Sequence, residues 1–204
     1  MSILVTDTAL ADELLAGRRA SGGDRYDEVW EGVYVMSPLA NDDHQRLVTE
    51  FAFVLQTIVG IPGLGDVRAG TNVSDREEGW SQNYRCPDVA VRLNGGRARI
   101  CKTHWVGGPD FAIEIVSRGD QSRDKLAFYA AIGTRELLIV DRDPWALELY
   151  GLRGDLLVPI GLSRPDSPGV IAGAALPLTF RLMPGDPEPR IEVAHDGDGR
   201  RWTI

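Results

Sequence analysis

Phe111-Ala112-Ile113-Glu114-Ile115-Val116 decides how this sequence is read. Such a near-continuous apolar run is the pattern of a central strand with both faces covered. The exception within it is Glu114, and an unpaired carboxylate inside an apolar strand is costly. Alternation along a strand puts Glu114 on the face of Ala112 and Val116, opposite Phe111, Ile113 and Ile115. Its neighbours on that face are modest in size and leave room for a cleft. A structural ion pair with Arg118 or Arg123 is the plain alternative.

Asp88 opens a second short strand, reaching Leu93, behind Pro87. A Pro-Asp pair also simply starts strands and turns. If the two strands are neighbours, Asp88 and Glu114 meet. Two close carboxylates repel unless a cation or a shared proton intervenes. A divalent metal is the simplest partner, and oxygen ligands suit Mg²⁺ or Mn²⁺. Lys125 lies one loop and about one helical turn beyond Glu114, within reach of the strand ends. Of 22 basic residues only Lys102 and Lys125 are lysine, so one of two lysines falls here. Lysine beside metal-bound carboxylates orients a water or stabilises charge on a phosphate oxygen. A solvated helix position, with Gln121 beside it, is the alternative for Lys125.

Working outward, Ser122 to Ile132 reads as a helix with Leu126, Tyr129 and Ala130 inward, closed by Gly133. Glu136 to Val140 is a second central strand ending at Asp141. Strands at Ala146–Tyr150 and Leu156–Ile160 flank a glycine turn. Upstream, Asn41-Asp42-Asp43 caps a helix whose inner face is Leu47, Phe51, Val54, Leu55 and Ile58. Asp66 to Val73 follows as a strand and Ser74 to Tyr84 as a polar loop, while Arg97 to Trp105 stays open between strand and irregular connection. Near the start, Thr8 to Arg19 is a helix with Thr6 or Asp7 as cap and Leu10, Leu14 and Leu15 at helical spacing. Glu28 to Gly32 leads as a hairpin turn into the strand Val33–Met36. Near the end, Gly169 to Phe180 holds one edge strand, and Ile191–Val193 and Arg200–Ile204 form a terminal hairpin.

The 204 residues suit one domain, 1–204, with a core at about 24–180 and a C-terminal extension at 181–204. A net charge of −8 argues against tight non-specific nucleic-acid binding but leaves room for a local basic groove. Between Arg85 and Lys125 basic residues outnumber acidic ones, and Arg92, Arg97, Arg99 and Lys102 line a phosphate path if they share a face. Cys86 and Cys101 are too few for a disulfide framework, and Cys86 reads as a small buried thiol. Neither a signal peptide nor a membrane span is legible, so the expected location is cytoplasmic. His104 and His195 lack partners at zinc-ligand spacing. His44 points either toward the cleft or, the preferred reading, caps the core as a half-buried histidine; Trp30 and Tyr129 are read as packing residues around the site, and Thr134-Arg135 as a solvated bend.

In order and spacing, Glu28-Val29-Trp30-Glu31-Gly32, Met36-Ser37-Pro38 with His44, Pro87-Asp88, Glu114-Ile115-Val116-Ser117, Lys125 to Gly133 and Glu136 to Asp141 resemble the Uma2 family, also called DUF820. That family lies within the PD-(D/E)xK nuclease superfamily. The resemblance implies a restriction-endonuclease-like α/β (mixed α+β) fold: a central mixed sheet flanked by helices, with an extra N-terminal helix and hairpin and a C-terminal hairpin. It implies that Asp88 and Glu114 are metal ligands, joined by the main-chain carbonyl of Ile115. Val116 stands where the superfamily has its lysine; the resemblance to Uma2 moves that role to Lys125. Glu28 matches the family's early glutamate, against the plain alternative of a surface pair with Arg25.

The function expected is a metal-dependent endonuclease using Mg²⁺ or Mn²⁺, acting on nucleic acid, with DNA first. A homodimer is expected too, with the apolar edge Val170–Phe180 and the terminal hairpin as interface candidates. Two other readings stay open. One is a catalytically idle nuclease-fold binding or assembly protein; the other is a hydrolase of a smaller phosphoester, which a closed pocket would favour.

Overall fold

Phe111–Ile115 is an inner strand, buried at every position. It pairs in parallel with Glu136–Arg142, Glu114 opposite Ile139. On its other side it pairs antiparallel with Val89–Leu93, Ile113 opposite Val89. One residue further along this register, Asp88 comes to the end of Glu114's strand.

The computed structural model describes residues 3–4, 8–37, 40–117 and 121–204. In chain order the first half contains β1 (Ile3–Leu4), α1 (Thr8–Ser21), β2 (Glu28–Trp30), β3 (Val33–Met36), α2 (Asp42–Leu55), β4 (Gly65–Ala69), β5 (Val73–Ser74), β6 (Tyr84–Arg85) and β7 (Val89–Leu93). Then come β8 (Arg99–Ile100), β9 (Trp105–Val106), β10 (Phe111–Ile115), α3 (Leu126–Ala131), β11 (Glu136–Arg142), β12 (Trp145–Arg153) and β13 (Leu156–Ser163). The chain closes with β14 (Ile171–Ala172), β15 (Leu178–Met183), β16 (Arg190–His195) and β17 (Arg201–Thr203). The main sheet has the order β13-β12-β11-β10-β7-β4; the short strands form a second, β1-β3-β2-β6-β5-β9-β8, and the last four a third.

The two faces of the main sheet are covered by different partners. Phe111, Ile113 and Ile115 face a core shared with Leu47, Phe51 and Val54 of α2 and with Phe180, Leu182 and Val193 of the third sheet. Phe180 stacks on Phe111, centroids 5.9 Å apart. Ala112 and Ile139 face the opposite core, with Phe128, Tyr129 and Ala130 of α3 and Trp105. Each fully buried large apolar side chain stabilises by about 1.5–3 kcal/mol, so both faces hold β10 in place. Glu114 belongs to the Ala112 face, as the alternation predicts.

α2 starts where its sequence says. The Asn41 side chain accepts the His44 N–H, and Asp42 and Asp43 complement the positive end of the helix. A π turn, Gln56–Gly60, continues it.

Several expectations need correction. Ser122 to Ile132 is not one helix: Ser122–Lys125 is a 3-10 turn that hands over to α3 at Leu126. Asp66–Val73 is broken after Ala69, because Gly70 adopts φ 60°. A Cβ there would also lie 2.9 Å from the Tyr26 ring. Leu10 and Leu14 of α1 are solvent-exposed rather than core-facing. Arg18 instead ties α1 to the hairpin, through Asp27 at 2.6 Å and the Ser37 carbonyl at 2.9 Å. Thr134 is buried, not a solvated bend. Of the edge suggested for dimerisation, Ile171, Leu176, Leu178 and Phe180 are buried in this chain's own core with Ile191 and Val193, while Val170 is exposed. The caps Thr6 and Asp7, and Arg118, lie outside the described residues.

Candidate active site

Glu28, Asp88, Glu114, Ile115 and Lys125 line one cavity of about 400 Å³ at the ends of β10 and β7. Four elements deliver them: β2 carries Glu28, the approach to β7 carries Asp88, β10 carries Glu114 and Ile115, and the 3-10 turn before α3 carries Lys125.

The Lys125 ammonium stands between two glutamates. Nζ donates to Glu28 Oε1 at 2.8 Å and to both Glu114 oxygens at 3.1 Å. Tyr129 lies four residues on, on the same side of the helical turn, and its hydroxyl donates to Glu114 Oε1 at 2.5 Å. Glu28 is clamped further: Oε1 accepts the Cys86 N–H at 2.9 Å and Oε2 accepts Trp30 Nε1 at 2.6 Å. Asp88 Oδ2 accepts the Ile115 N–H at 2.7 Å, which extends the β7–β10 ladder by a side chain. Its Oδ1 lies 2.9 Å from His44 Nε2, and Ser117 Oγ lies 3.3 Å from His44 Nδ1.

Burial sets the electrostatics. Glu114 is 3% exposed and Glu28 2%. Desolvation pushes the Glu114 carboxyl up to about 8; Lys125 and Tyr129 pull it down, while Asp88 and Glu28 push it further up. Burial likewise raises the Tyr129 hydroxyl, and the nearby Glu114 charge adds to it. The Cys86 thiol is raised by burial first and is a poor nucleophile. Arg85 lies under the site, its guanidinium against the rings of Phe128 and Trp30, and burial lowers its pKa.

The sequence of an established family matches this chain over residues 12–197; its description is "Putative restriction endonuclease", under the name Uma2. The chain belongs to the Uma2 family. In three dimensions it is similar to a crystal structure titled as a "putative nuclease belonging to DUF820" from Anabaena variabilis ATCC 29413. The TM-score is 0.58 at 16% identity, over 73% of this chain and 82% of that one. That likeness is one of fold: the Uma2 chain has the restriction-endonuclease-like, mixed α+β architecture. No curated protein matches the chain in sequence.

Within this Uma2 site the plain alternatives can be judged one by one. Arg123, the described alternative partner of Glu114, pairs instead with Asp141 at 2.8 Å and Glu148 at 2.7 Å. Glu28 is buried against Lys125, not paired at the surface with Arg25. Lys125 is 9% exposed and does not sit on a solvated helix face. His44 is buried, as expected, but it reaches the site through Asp88 rather than merely capping the core. Trp30 and Tyr129 do more than pack, since each donates to a site carboxylate. The Trp30 indole, two residues from Glu28, and the Tyr129 phenol, four residues from Lys125, were the available signal. Arg92, Arg97, Arg99 and Lys102 do not line the cavity. Arg92 pairs with Asp66 and Arg99 with Glu77. His104 stacks on Trp80 and His195 pairs with Asp198, away from the site.

Among the described residues, no three Asp, Glu, His or Cys groups stand together as a ready metal cage. The donor chemistry nevertheless fits a hard divalent ion. The charged donors are carboxylates, and once Glu114 is ionised three of them against one ammonium leave two formal negative charges. Gln121 Oε1, on the same cavity, is a buried acceptor without a hydrogen-bond partner among the described residues. No described helix is long and apolar enough to cross a membrane.

Proposed function

We propose that this Uma2 protein is a divalent-metal-dependent endonuclease that hydrolyses phosphodiester bonds in nucleic acid, DNA first. The observation that carries the reading is the convergence of Glu28 and Glu114 on the Lys125 ammonium, with Asp88 lining the same cavity. Asp88 and Glu114, with the Ile115 carbonyl, would hold Mg²⁺ or Mn²⁺. When bound, such an ion supplies Lewis acidity and an acidified water.

The residues of the chain do the rest. His44 and the Ile115 N–H fix the rotamer of Asp88. Glu28 holds Lys125 beside Glu114, where the ammonium can align a water and offset charge developing on a phosphate oxygen. Tyr129 restrains Glu114 from below. Trp30 and Arg85 keep the underside of the site dry and rigid, so these donors are preorganised.

The test is hydrolysis of bis(p-nitrophenyl) phosphate and of DNA, single-stranded and plasmid, with Mg²⁺ or Mn²⁺. Wild type is expected to be active, and Glu114→Gln and Lys125→Ala to lose activity by at least about 100-fold. Activity that survives both substitutions would overturn the reading. The enclosed cavity also favours a second reading, a hydrolase of a smaller phosphoester. Turnover of nucleotide monophosphates or small diesters, with oligonucleotides untouched, would select it.

A further inference from the structure

The hydrolytic chemistry leaves part of the cavity unused. Glu28, Glu114 and Lys125 are among its buried groups, whereas Arg25 and Thr49 are exposed. The lining also carries an apolar patch, Val48 and Ala52 of α2 and Ala69 of β4, beside polar Gln45. Tyr26 lines the same cavity, with the Arg25 guanidinium 5.4 Å from its ring centroid. The ring owes its place to Gly70, where any side chain would collide with it.

Depth and size decide what fits. A volume of about 400 Å³ falls within the roughly 300–1,000 Å³ of small-ligand sites. Glu28, Glu114 and Lys125 are each at most 9% exposed. A duplex keeps its bases paired and stacked inside, so it offers none to the Tyr26 ring without extruding a nucleotide. An unpaired nucleotide has no such obstacle. An aromatic ring beside an arginine is also how single strands are held without sequence preference: the ring stacks a base and the cation meets the backbone.

We infer that the substrate is nucleic acid presenting an unpaired nucleotide, its base between Tyr26 and the Val48–Ala52 patch and its phosphate toward Lys125. The inference rests on the phosphodiesterase reading for the fate of the phosphate, but not for binding. One strand needs only one such site, so a second copy of the chain is not required.

The test is fluorescence anisotropy with Ca²⁺ present, using fluorescein-labelled oligothymidylate and the same strand paired with oligoadenylate. The single strand is expected to bind at least about tenfold more tightly than the duplex. Thr49→Trp, at an exposed lining position, and Ala52→Trp, on the apolar patch, each fill the cavity and should weaken single-strand binding about tenfold or more. Duplex binding of equal strength, single-strand binding untouched by both tryptophans, or binding of neither nucleic acid would overturn the inference. Hydrolysis of bis(p-nitrophenyl) phosphate by the same preparations separates the two claims. Hydrolysis without single-strand binding sinks this inference alone, and cavity-dependent binding without hydrolysis sinks only the catalytic reading.

Discussion

Replacing Lys125 with Met removes the one ammonium between Glu28 and Glu114, and with it contacts of 2.8, 3.1 and 3.1 Å. Breaking a buried ion pair by removing one partner costs about 3–5 kcal/mol, because the remaining charge is left uncompensated. Here the cost depends on pH. Glu114 has its carboxyl raised to about 8 in the folded protein, against 4.5 ordinarily. The folded state therefore holds a proton that the unfolded chain has released. That contribution to stability is complete below about pH 4.5 and is lost as pH rises through about 8. Near pH 6 both proteins carry a protonated Glu114, and the variant loses chiefly the Glu28 contact. Above pH 8 the wild type ionises Glu114 against Lys125, and the variant has no cation in contact with it among the described residues. The stability deficit should accordingly be smaller near pH 6 and grow toward about 3–5 kcal/mol near pH 9. Urea denaturation of both proteins at the two pH values measures it. A deficit below about 1 kcal/mol, or one that does not grow with pH, would refute the reasoning.

Three further outcomes are expected. Tyr129→Phe removes a buried hydroxyl donor from Glu114 and should cost about 1–3 kcal/mol by chemical denaturation; an unchanged midpoint would show that the 2.5 Å contact carries no weight. Phe180→Ala should cost about 3–5 kcal/mol in a single cooperative transition, since Phe180 stacks on Phe111; a separate early transition would show that the third sheet folds apart from the main core. Mn²⁺ binding near pH 7 should release about one proton, that of Glu114, in calorimetry run in buffers of different ionisation enthalpy; binding without proton release would contradict the raised Glu114 carboxyl.

The elements with long or strongly patterned sequences were legible, and those built from short pieces were not. Phe111–Ile115 declared itself by its apolar run, and simple alternation placed Glu114 on the correct face. The α2 stripe of Leu47, Phe51 and Val54 carried a helical period over several turns. The second sheet defeated such reasoning, because β5, β6, β8 and β9 are two residues long and hold no period. α1 misled: its leucines have helical spacing, yet Leu10 and Leu14 face solvent and Arg18 does the anchoring. The C-terminal region offered one edge strand and a hairpin, and only the tertiary fold unites them into a four-stranded sheet.

In the candidate site, the residue types were readable but their mutual contacts were not. Asp88, Glu114 and Lys125 stand out as charges near apolar strands. That Lys125 would bridge to Glu28, 97 residues away, depends on how β2 is laid against β6. The roles of Trp30, Tyr129 and His44 were missed because aromatic residues near a core are ordinarily packing. Their polar atoms acquire meaning only when a buried carboxylate lies within reach.

The central claim is that Asp88 and Glu114 form a divalent-metal site beside Lys125. A crystal grown with Mn²⁺ and read by anomalous scattering tests it most directly. The account predicts one anomalous peak within coordination distance of both carboxylates, with Lys125 drawn off at least one Glu114 oxygen. Density with no such peak, and Lys125 still on both Glu114 oxygens at saturating Mn²⁺, would contradict it.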